Sequence, residues 1–388
     1  MVSRIDLVES ITCNTHVKGL THNFYRYPAR FSPVFARTII QKFSKPGDVV
    51  LDPFMGGGTT LVEAIAAGRH AIGTDINELA VFISEVKTSV LSEMDIAEIK
   101  LWTESLPSKL NFHSIIVKDK ANEYPLNLSL RHTWRIRRIL ELLLSNIRLL
   151  STHIQRQFAK CAALNTAQWA LDSKTKVPSV SEFRERLYKN IDTMISGMIE
   201  FKETITRGGI SVNAPDFICR SAVGIENEER FKQYAPPSLV LTSPPYPGIH
   251  VLYHRWQILG RKETTAPYWI SNCMDGCGAS YYTFGDRKQK KLTKYFEQAT
   301  QAFSSIAKIL DSNSTVVQMV AFSDPTWQLP AYLNSLVDAG LEEVFLKEFA
   351  NSEDGRIWRT VPNRKWQASV KGNTPSSKEV VLFHKLSG

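Results

Sequence analysis

From residue 49 the chain reads Val-Val-Leu-Asp-Pro-Phe, a short apolar run that stops at Gly56-Gly57-Gly58. A run of that length ending in glycines predicts a buried strand entering a tight turn. The following residues put Leu61, Val62, Ile65 and Ala66 on one helical face, Gly68 ends the helix, and a second apolar strand begins at Ala71. Strand, glycine loop, helix, strand is a βαβ unit, which predicts a parallel sheet with helices on both faces. Between about 90 and 212 the period changes to that of a helix, and Ile136, Leu140, Leu143, Ile147 and Leu150 mark one strongly amphipathic face. Strand patterns return at 216–225, 237–246, 314–322, 341–349 and 377–385, with a helical stretch at 295–310. The last two are joined by a polar, basic stretch and are expected to form an antiparallel hairpin. The chain has no internal repeat and no low-complexity tract.

Composition narrows this picture without changing it. With 388 residues, 43% hydrophobic and 22% charged, the chain suits one large α/β domain carrying an insertion, or two modest domains. No stretch has the roughly 18 uninterrupted apolar residues of a membrane span. The N-terminal residues lack a secretion-signal pattern, so a soluble, cytoplasmic protein is expected. Five scattered cysteines (13, 161, 219, 273 and 277) form no zinc or disulfide framework, and no metal is expected. The formal charge of +9 favours a polyanionic partner.

Two constellations carry the candidate chemistry. The first is Asp52-Pro53-Phe54-Met55-Gly56-Gly57-Gly58-Thr59-Thr60, where consecutive glycines let the backbone approach a ligand directly before a helix N-terminus. No lysine follows the glycines and the spacing is not that of a dinucleotide loop, so phosphate is not the indicated ligand. Asp52 at the strand end suits an ammonium group, and Asp75, closing the next strand, suits ribose hydroxyls. An amino acid joined to a nucleoside is S-adenosylmethionine.

The second is Thr242-Ser243-Pro244-Pro245-Tyr246, at the carboxyl end of an apolar strand, where open α/β sheets carry their chemistry. An exocyclic amino group conjugated with a base ring is a poor nucleophile and must be held by hydrogen-bond acceptors. Ser243 offers a hydroxyl, Pro244 a carbonyl, and the paired prolines keep both aimed. Tyr246 offers a stacking face for a flipped base. The chain contains no Pro-Cys pair, which argues against methylation at cytosine C5 through a covalent thiolate.

The stretch 49–77 resembles the cofactor motif of S-adenosylmethionine-dependent exocyclic-amino DNA methyltransferases, the N4-cytosine and N6-adenine type, and residues 22–33 resemble the segment that closes over methionine in that family. The resemblance implies a Rossmann-like class I methyltransferase fold, adds Tyr27, Pro28 and Ala29 to the cofactor site, and makes Ser243 at the first motif position a mark of cytosine N4 over adenine N6. It also implies double-stranded DNA as substrate and a setting of restriction and modification, with a cognate endonuclease acting separately. In such an enzyme the amine attacks the sulfonium methyl directly, and its extra proton leaves to Ser243 or water. The expected catalytic domain is 1–90 with 213–388, and 91–212 is a helical insertion that could touch DNA.

Family members usually carry an acidic residue after the third strand, where this chain has Arg220-Ser221-Ala222. Residues 247–291 and 356–366 interleave aromatics with basic side chains, and Arg255, Arg261, Lys262, Arg287, Lys288, Arg364 and Lys365 are the candidate DNA contacts. Arg131, Arg135 and Arg138 on the amphipathic helix are a further phosphate-facing candidate. The rivals are an adenine-N6 enzyme with the same machinery, an RNA guanine-N2 methyltransferase, and an inert DNA-binding protein on the same scaffold.

Overall fold

The computed structural model describes residues 4–13, 19–112, 127–207, 215–249, 251, 255–260, 262–275, 279–286, 288–360 and 377–388. Two helices, α1 (Arg4–Thr12) and α2 (Pro33–Phe43), lead into strand β1 (Val49–Asp52), helix α3 (Thr59–Ala66), strand β2 (His70–Asp75) and helix α4 (Glu78–Thr88). Four helices follow: α5 (Glu93–Lys109), α6 (Trp134–Ile147), α7 (His153–Leu171) and α8 (Val180–Arg207). The chain then gives β3 (Asp216–Cys219), β4 (Leu239–Thr242), a small hairpin of β5 (Trp256–Ile258) and β6 (Lys262–Thr264), and α9 (Ala266–Ser271). It ends with α10 (Thr293–Ala307), β7 (Thr315–Ala321), α11 (Pro325–Asp338), β8 (Leu341–Glu343), β9 (Ile357–Thr360) and β10 (Lys378–Leu386).

The main sheet runs β3-β2-β1-β4-β7-β10-β8, with β9 also paired to β10. The first five strands are parallel; Val49 lies opposite His70 on one side of β1 and Val50 opposite Leu239 on the other. Every residue of β1, β4 and β7 is buried, as both-face coverage of a parallel sheet requires. Alternation sorts the side chains: Val49 and Leu51 face α10 and α11 with Phe303 and Tyr332, while Val50 faces the opposite layer with Leu61, Phe35 and Ile39. Chain order reverses between β1 and β4, so their carboxyl ends form the switch-point crevice of a Rossmann-like sheet.

The terminal antiparallel strands are present but differ from a plain hairpin. β10 lies between β7 and β8 and is antiparallel to both. The strand expected over 341–349 ends at Glu343, because Arg356 grips that carboxylate with Nε and Nη2 at 2.7 Å each and folds the chain back. The returning segment adds β9, which the sequence pattern did not predict, beside Lys378–Val381.

The helical block is as expected, and Ile136, Leu140, Leu143 and Ile147 of α6 are all buried. Their core is continuous with α4, since Ile83 and Val86 pack in the same cluster as Phe158 of α7 and Leu187 of α8. Helices α5 and α7 each start with a reciprocal capping box, from Ser92 with Asp95 and from Thr152 with Gln155.

A buried carboxylate ties the N-terminal segment to the βαβ unit. Glu63 of α3 accepts from His22 Nε2 at 2.7 Å and from Arg37 Nε at 2.8 Å. Burial alone would raise this carboxyl, but the hydrogen bonds from His22 and Arg37 outweigh it and hold it below the usual range. Burial pushes His22 down, so its imidazole donates as the neutral ring. Glu63→Ala is expected to destabilise the protein by about 1–3 kcal/mol through the orphaned partners, and Glu63→Gln by less, read as denaturant midpoints.

Candidate active site

The loop between β1 and α3 is shaped by what lies behind it. Gly58, the residue before α3, has φ 71°, and a Cβ there would come within 2.7 Å of Ser84 Oγ on α4. A Cβ on Gly57 would meet Cβ of Tyr27 at the same distance. Only glycine allows the loop to lie this close to both segments. Its outward carbonyls are held from α4: Lys87 Nζ donates to Gly57 O at 2.8 Å and Ser84 Oγ to Gly56 O at 3.3 Å. Lys87 is fully buried, and desolvation, helped by the nearby Arg30, pushes its amine down to about 7.

The loop opens on a cavity of about 820 Å³ at the switch point. Of the expected cofactor residues, Tyr27, Pro28, Ala29, Asp52, Pro53, Phe54, Gly56, Gly57, Thr59 and Asp75 line it. Gly58 and Thr60 lie behind, with the Thr60 hydroxyl donating to Leu241 O on β4. Asp52 Oδ1 accepts from the Phe54 amide and, at 2.7 Å, from Thr242 Oγ1. Asp75 accepts from the amides of Gly56 and Asn77, through different oxygens. Burial raises both carboxyls to about 6, and each hydrogen bond offsets this only in part.

The second motif reaches the same cavity. Ser243 and Pro245 line it, whereas Pro244 and Tyr246 do not. Ser243 Oγ is 2.9 Å from Tyr246 Oη and 3.0 Å from the Met319 carbonyl, and the Pro245 carbonyl accepts from Tyr295 at 2.6 Å. The stacking role expected of Tyr246 is not open to it in this conformation. Its side chain is 4% exposed, its ring packs in the core with Val320 and Tyr295, and its hydroxyl is anchored on Glu379 of β10.

The candidate DNA contacts are less gathered. Arg255 pairs with Glu263 and Asp275, and Lys262 and Lys288 are exposed. Arg261, Arg287, Arg364 and Lys365 lie outside the described residues, as does Cys277. Arg131 precedes α6 and is exposed; Arg135 lies over the Trp134 ring, and Arg138 pairs with Glu141. Arg220, where an acidic residue was expected, lines the cavity and pairs with Glu228. Arg359, which the sequence places in a basic run along the same cleft, is buried against Glu379, and the sequence reading missed Lys87, Asn77 and Glu379. Apolar helix and strand patterns carried the first and third of these as ordinary positions, and nothing in those patterns marks a buried charge.

The family match falls on the first motif. A DNA methylase family of the N6/N4 type matches residues 9–85. The type II methyltransferase M.MvaI of Kocuria varians is 43% identical over 79 residues, 20% of this chain and 17% of that protein. M.MjaII of Methanocaldococcus jannaschii, also a type II methyltransferase, is 37% identical over 95 residues, 24% of this chain and 17% of that one. The DNA adenine methyltransferase YhdJ of Escherichia coli is 43% identical over 61 residues, 16% of this chain and 21% of that one. Over residues 9–85 the chain is similar to exocyclic-amino DNA methyltransferases. It spans about a fifth of these relatives' length. Among solved structures, TrmN from Thermus thermophilus aligns with 92% of this chain and 49% of its own, at 10% identity and a TM-score of 0.33.

The family's cofactor is S-adenosylmethionine, and the donor set fits it. Two desolvated carboxylates with unfilled acceptor sites border the cavity beside the apolar Ile76 and Val223, which offers anionic acceptors for an ammonium and for ribose hydroxyls and an apolar wall for a base. Both carboxylates accept hydrogen bonds from such a ligand only when ionised. Cofactor affinity is therefore expected to be full above about pH 6 and to fall below it by about tenfold per pH unit for each carboxylate required. Isothermal titration across that range measures it, and Asp75→Asn should flatten the dependence while lowering affinity throughout.

Proposed function

We propose that this protein transfers the methyl group of S-adenosylmethionine to N4 of a cytosine in duplex DNA, with the target base turned out of the helix into the cavity beside Ser243. The observation that carries this reading is that Asp52 of the glycine loop and Ser243 of the Ser-Pro-Pro-Tyr motif line one cavity and are bridged through Thr242. Held beside Asp52 and Asp75, S-adenosylmethionine would supply an electrophilic methyl on a sulfonium, whose sulfur would keep the C–S electron pair as the amine's lone pair forms the N–C bond. The protein's part is to hold the amine. Ser243 Oγ is the acceptor assigned to an N–H of that amine, which lets the nitrogen lone pair leave ring conjugation and point at the methyl, whereas Pro244, the second acceptor expected from the sequence, does not line the cavity. The Pro245 carbonyl, already engaged by Tyr295, keeps the motif from rotating. No covalent enzyme intermediate is required.

Serine at the first position of the motif supports cytosine over adenine. The basic balance of the chain supports a DNA partner, and we assign phosphate contacts to Arg255, Lys262 and Lys288 together with Arg261, Arg287, Arg364 and Lys365. Residues 91–212 are read as an insertion in the catalytic domain formed by 1–90 and 213–388, on the DNA-facing side. Two relatives carry the name type II methyltransferase, which supports a role in protecting host DNA beside a separately acting endonuclease.

Incubation of the protein with unmethylated DNA and labelled S-adenosylmethionine, followed by nucleoside digestion and mass analysis, is expected to yield N4-methylcytosine. N6-methyladenine would keep the mechanism and overturn the choice of base, and absence of label in any DNA would overturn the activity. Ser243→Ala should lower turnover by about tenfold or more while sparing cofactor affinity, whereas Asp75→Ala should weaken cofactor binding first.

A further inference from the structure

We infer that Glu379 is a positioning residue and the terminal proton acceptor for the reaction, acting on the substrate amine through Tyr246 and Ser243; this rests on the function proposed above. The three groups form an unbroken line from the cavity wall into the protein. Ser243 Oγ borders the cavity and is 2.9 Å from Tyr246 Oη, which is 3.0 Å from Glu379 Oε1. The other carboxylate oxygen of Glu379 is held by Arg359 Nε at 2.7 Å, and Arg359 Nη1 reaches the Ile11 carbonyl at the end of α1. Glu379 and Arg359 have side chains only 5% and 9% exposed. This is a buried ion pair placed on an antiparallel strand at the sheet end that carries the site, where a purely structural element needs no charge.

The arrangement fixes the direction of two hydroxyl hydrogens. In the ion pair the Glu379 carboxylate is acceptor-only, so the hydrogen between Oε1 and Tyr246 Oη is the tyrosine's. Ser243 then spends its one hydrogen inward, on Tyr246 Oη or the Met319 carbonyl, and its oxygen faces the cavity as an acceptor. An amine N–H requires that polarity. Reversal of either hydroxyl would present a donor to a donor.

The same line conducts the surplus proton. Once the new N–C bond has formed, the methylated nitrogen carries one proton more than the product. Ser243 Oγ takes it and passes its own hydrogen to Tyr246 Oη, which passes its hydrogen to Glu379 Oε1. Each oxygen gains one proton and loses one, so the serine and tyrosine end neutral and Glu379 ends as the carboxylic acid, still accepting from Arg359 through Oε2. A conjugated amine protonated on nitrogen is a strong acid, so a carboxylate is base enough.

Single-turnover methyl transfer separates this role from a structural one. Glu379→Gln presents an amide N–H to Tyr246, reverses the line and removes the acceptor; Tyr246→Phe cuts the line while keeping the packed ring. Each is expected to slow single-turnover transfer by about tenfold or more with cofactor affinity close to that of the unaltered protein; Tyr246→Phe keeps its melting temperature, Glu379→Gln lowers it by leaving Arg359 unpaired, and the double variant should be no slower than the worse single one. A Glu379→Gln protein as fast as the unaltered one, a double variant whose loss is the product of the single losses, or a slow variant that has also lost melting temperature and cofactor affinity would each overturn the inference. If Glu379→Gln does not fold, Tyr246→Phe decides, since retention of full rate in that variant overturns the relay. An unaltered protein that methylates no DNA would overturn the proposed function as well.

Discussion

The hydrogen bond from Thr242 Oγ1 to Asp52 Oδ1, 2.7 Å long and buried at the switch point, is where the two halves of the site meet. It joins the last residue of β4 to the last residue of β1, two parallel neighbours whose loops depart in opposite directions. One loop carries the glycines and the other the Ser-Pro-Pro-Tyr motif. The bond aims the Asp52 carboxylate and fixes the distance between the glycine loop and the Ser-Pro-Pro-Tyr loop, the places proposed for the methyl donor and the methyl acceptor. Thr60 in the first turn of α3, donating to the Leu241 carbonyl of β4, makes a second tie between the same two segments of the chain. A reaction that depends on near-attack geometry between two bound molecules needs such a rigid spacer.

Buried charged side chains hold three of the segments around the site. Lys87 sits under the glycine loop with backbone carbonyls as its partners, Glu63 binds the N-terminal segment to α3, and Glu379 with Arg359 stands behind the second motif. Each would be costly as an isolated charge in an apolar core, and each is matched by hydrogen bonds that fix one backbone or side-chain geometry. The cavity thus has polar supports behind both of its walls, while Asp52, Asp75 and Ser243 are among the polar residues that line it. Burial holds the two aspartates near the pH at which they change charge. Their ionisation and the arrival of a positively charged ligand are consequently coupled.

The helical block from α5 to α8 is part of the same packing and not an appendage. Its core runs without interruption into α4, and α4 is the helix that supports the glycine loop through Ser84 and Lys87. A disturbance in that block therefore has a short path to the cofactor side of the cavity.

Much of this was legible in the sequence because it depends on local rules. Continuous apolar runs ending in Gly56-Gly57-Gly58 and in Pro244-Pro245 name both loops and the parallel sheet, because a strand buried on both faces and a turn with positive φ each restrict which residue types fit. The amphipathic face of α6 is equally plain. What the tertiary structure alone decided are pairings between residues far apart in the chain. Thr242 meets Asp52 only because β4 lies beside β1, and Tyr246 meets Glu379 only because β10 inserts next to β7. The sequence reading gave Tyr246 a surface to stack on, whereas its hydroxyl is drawn to a carboxylate 133 positions away and its ring is buried with it. Glu379 lies in a strand pattern and Lys87 in a helix pattern, and neither pattern records whether a polar end is turned to water or to a partner. Periodicity reports which face of an element is apolar, and the sheet order decides what each polar group then finds.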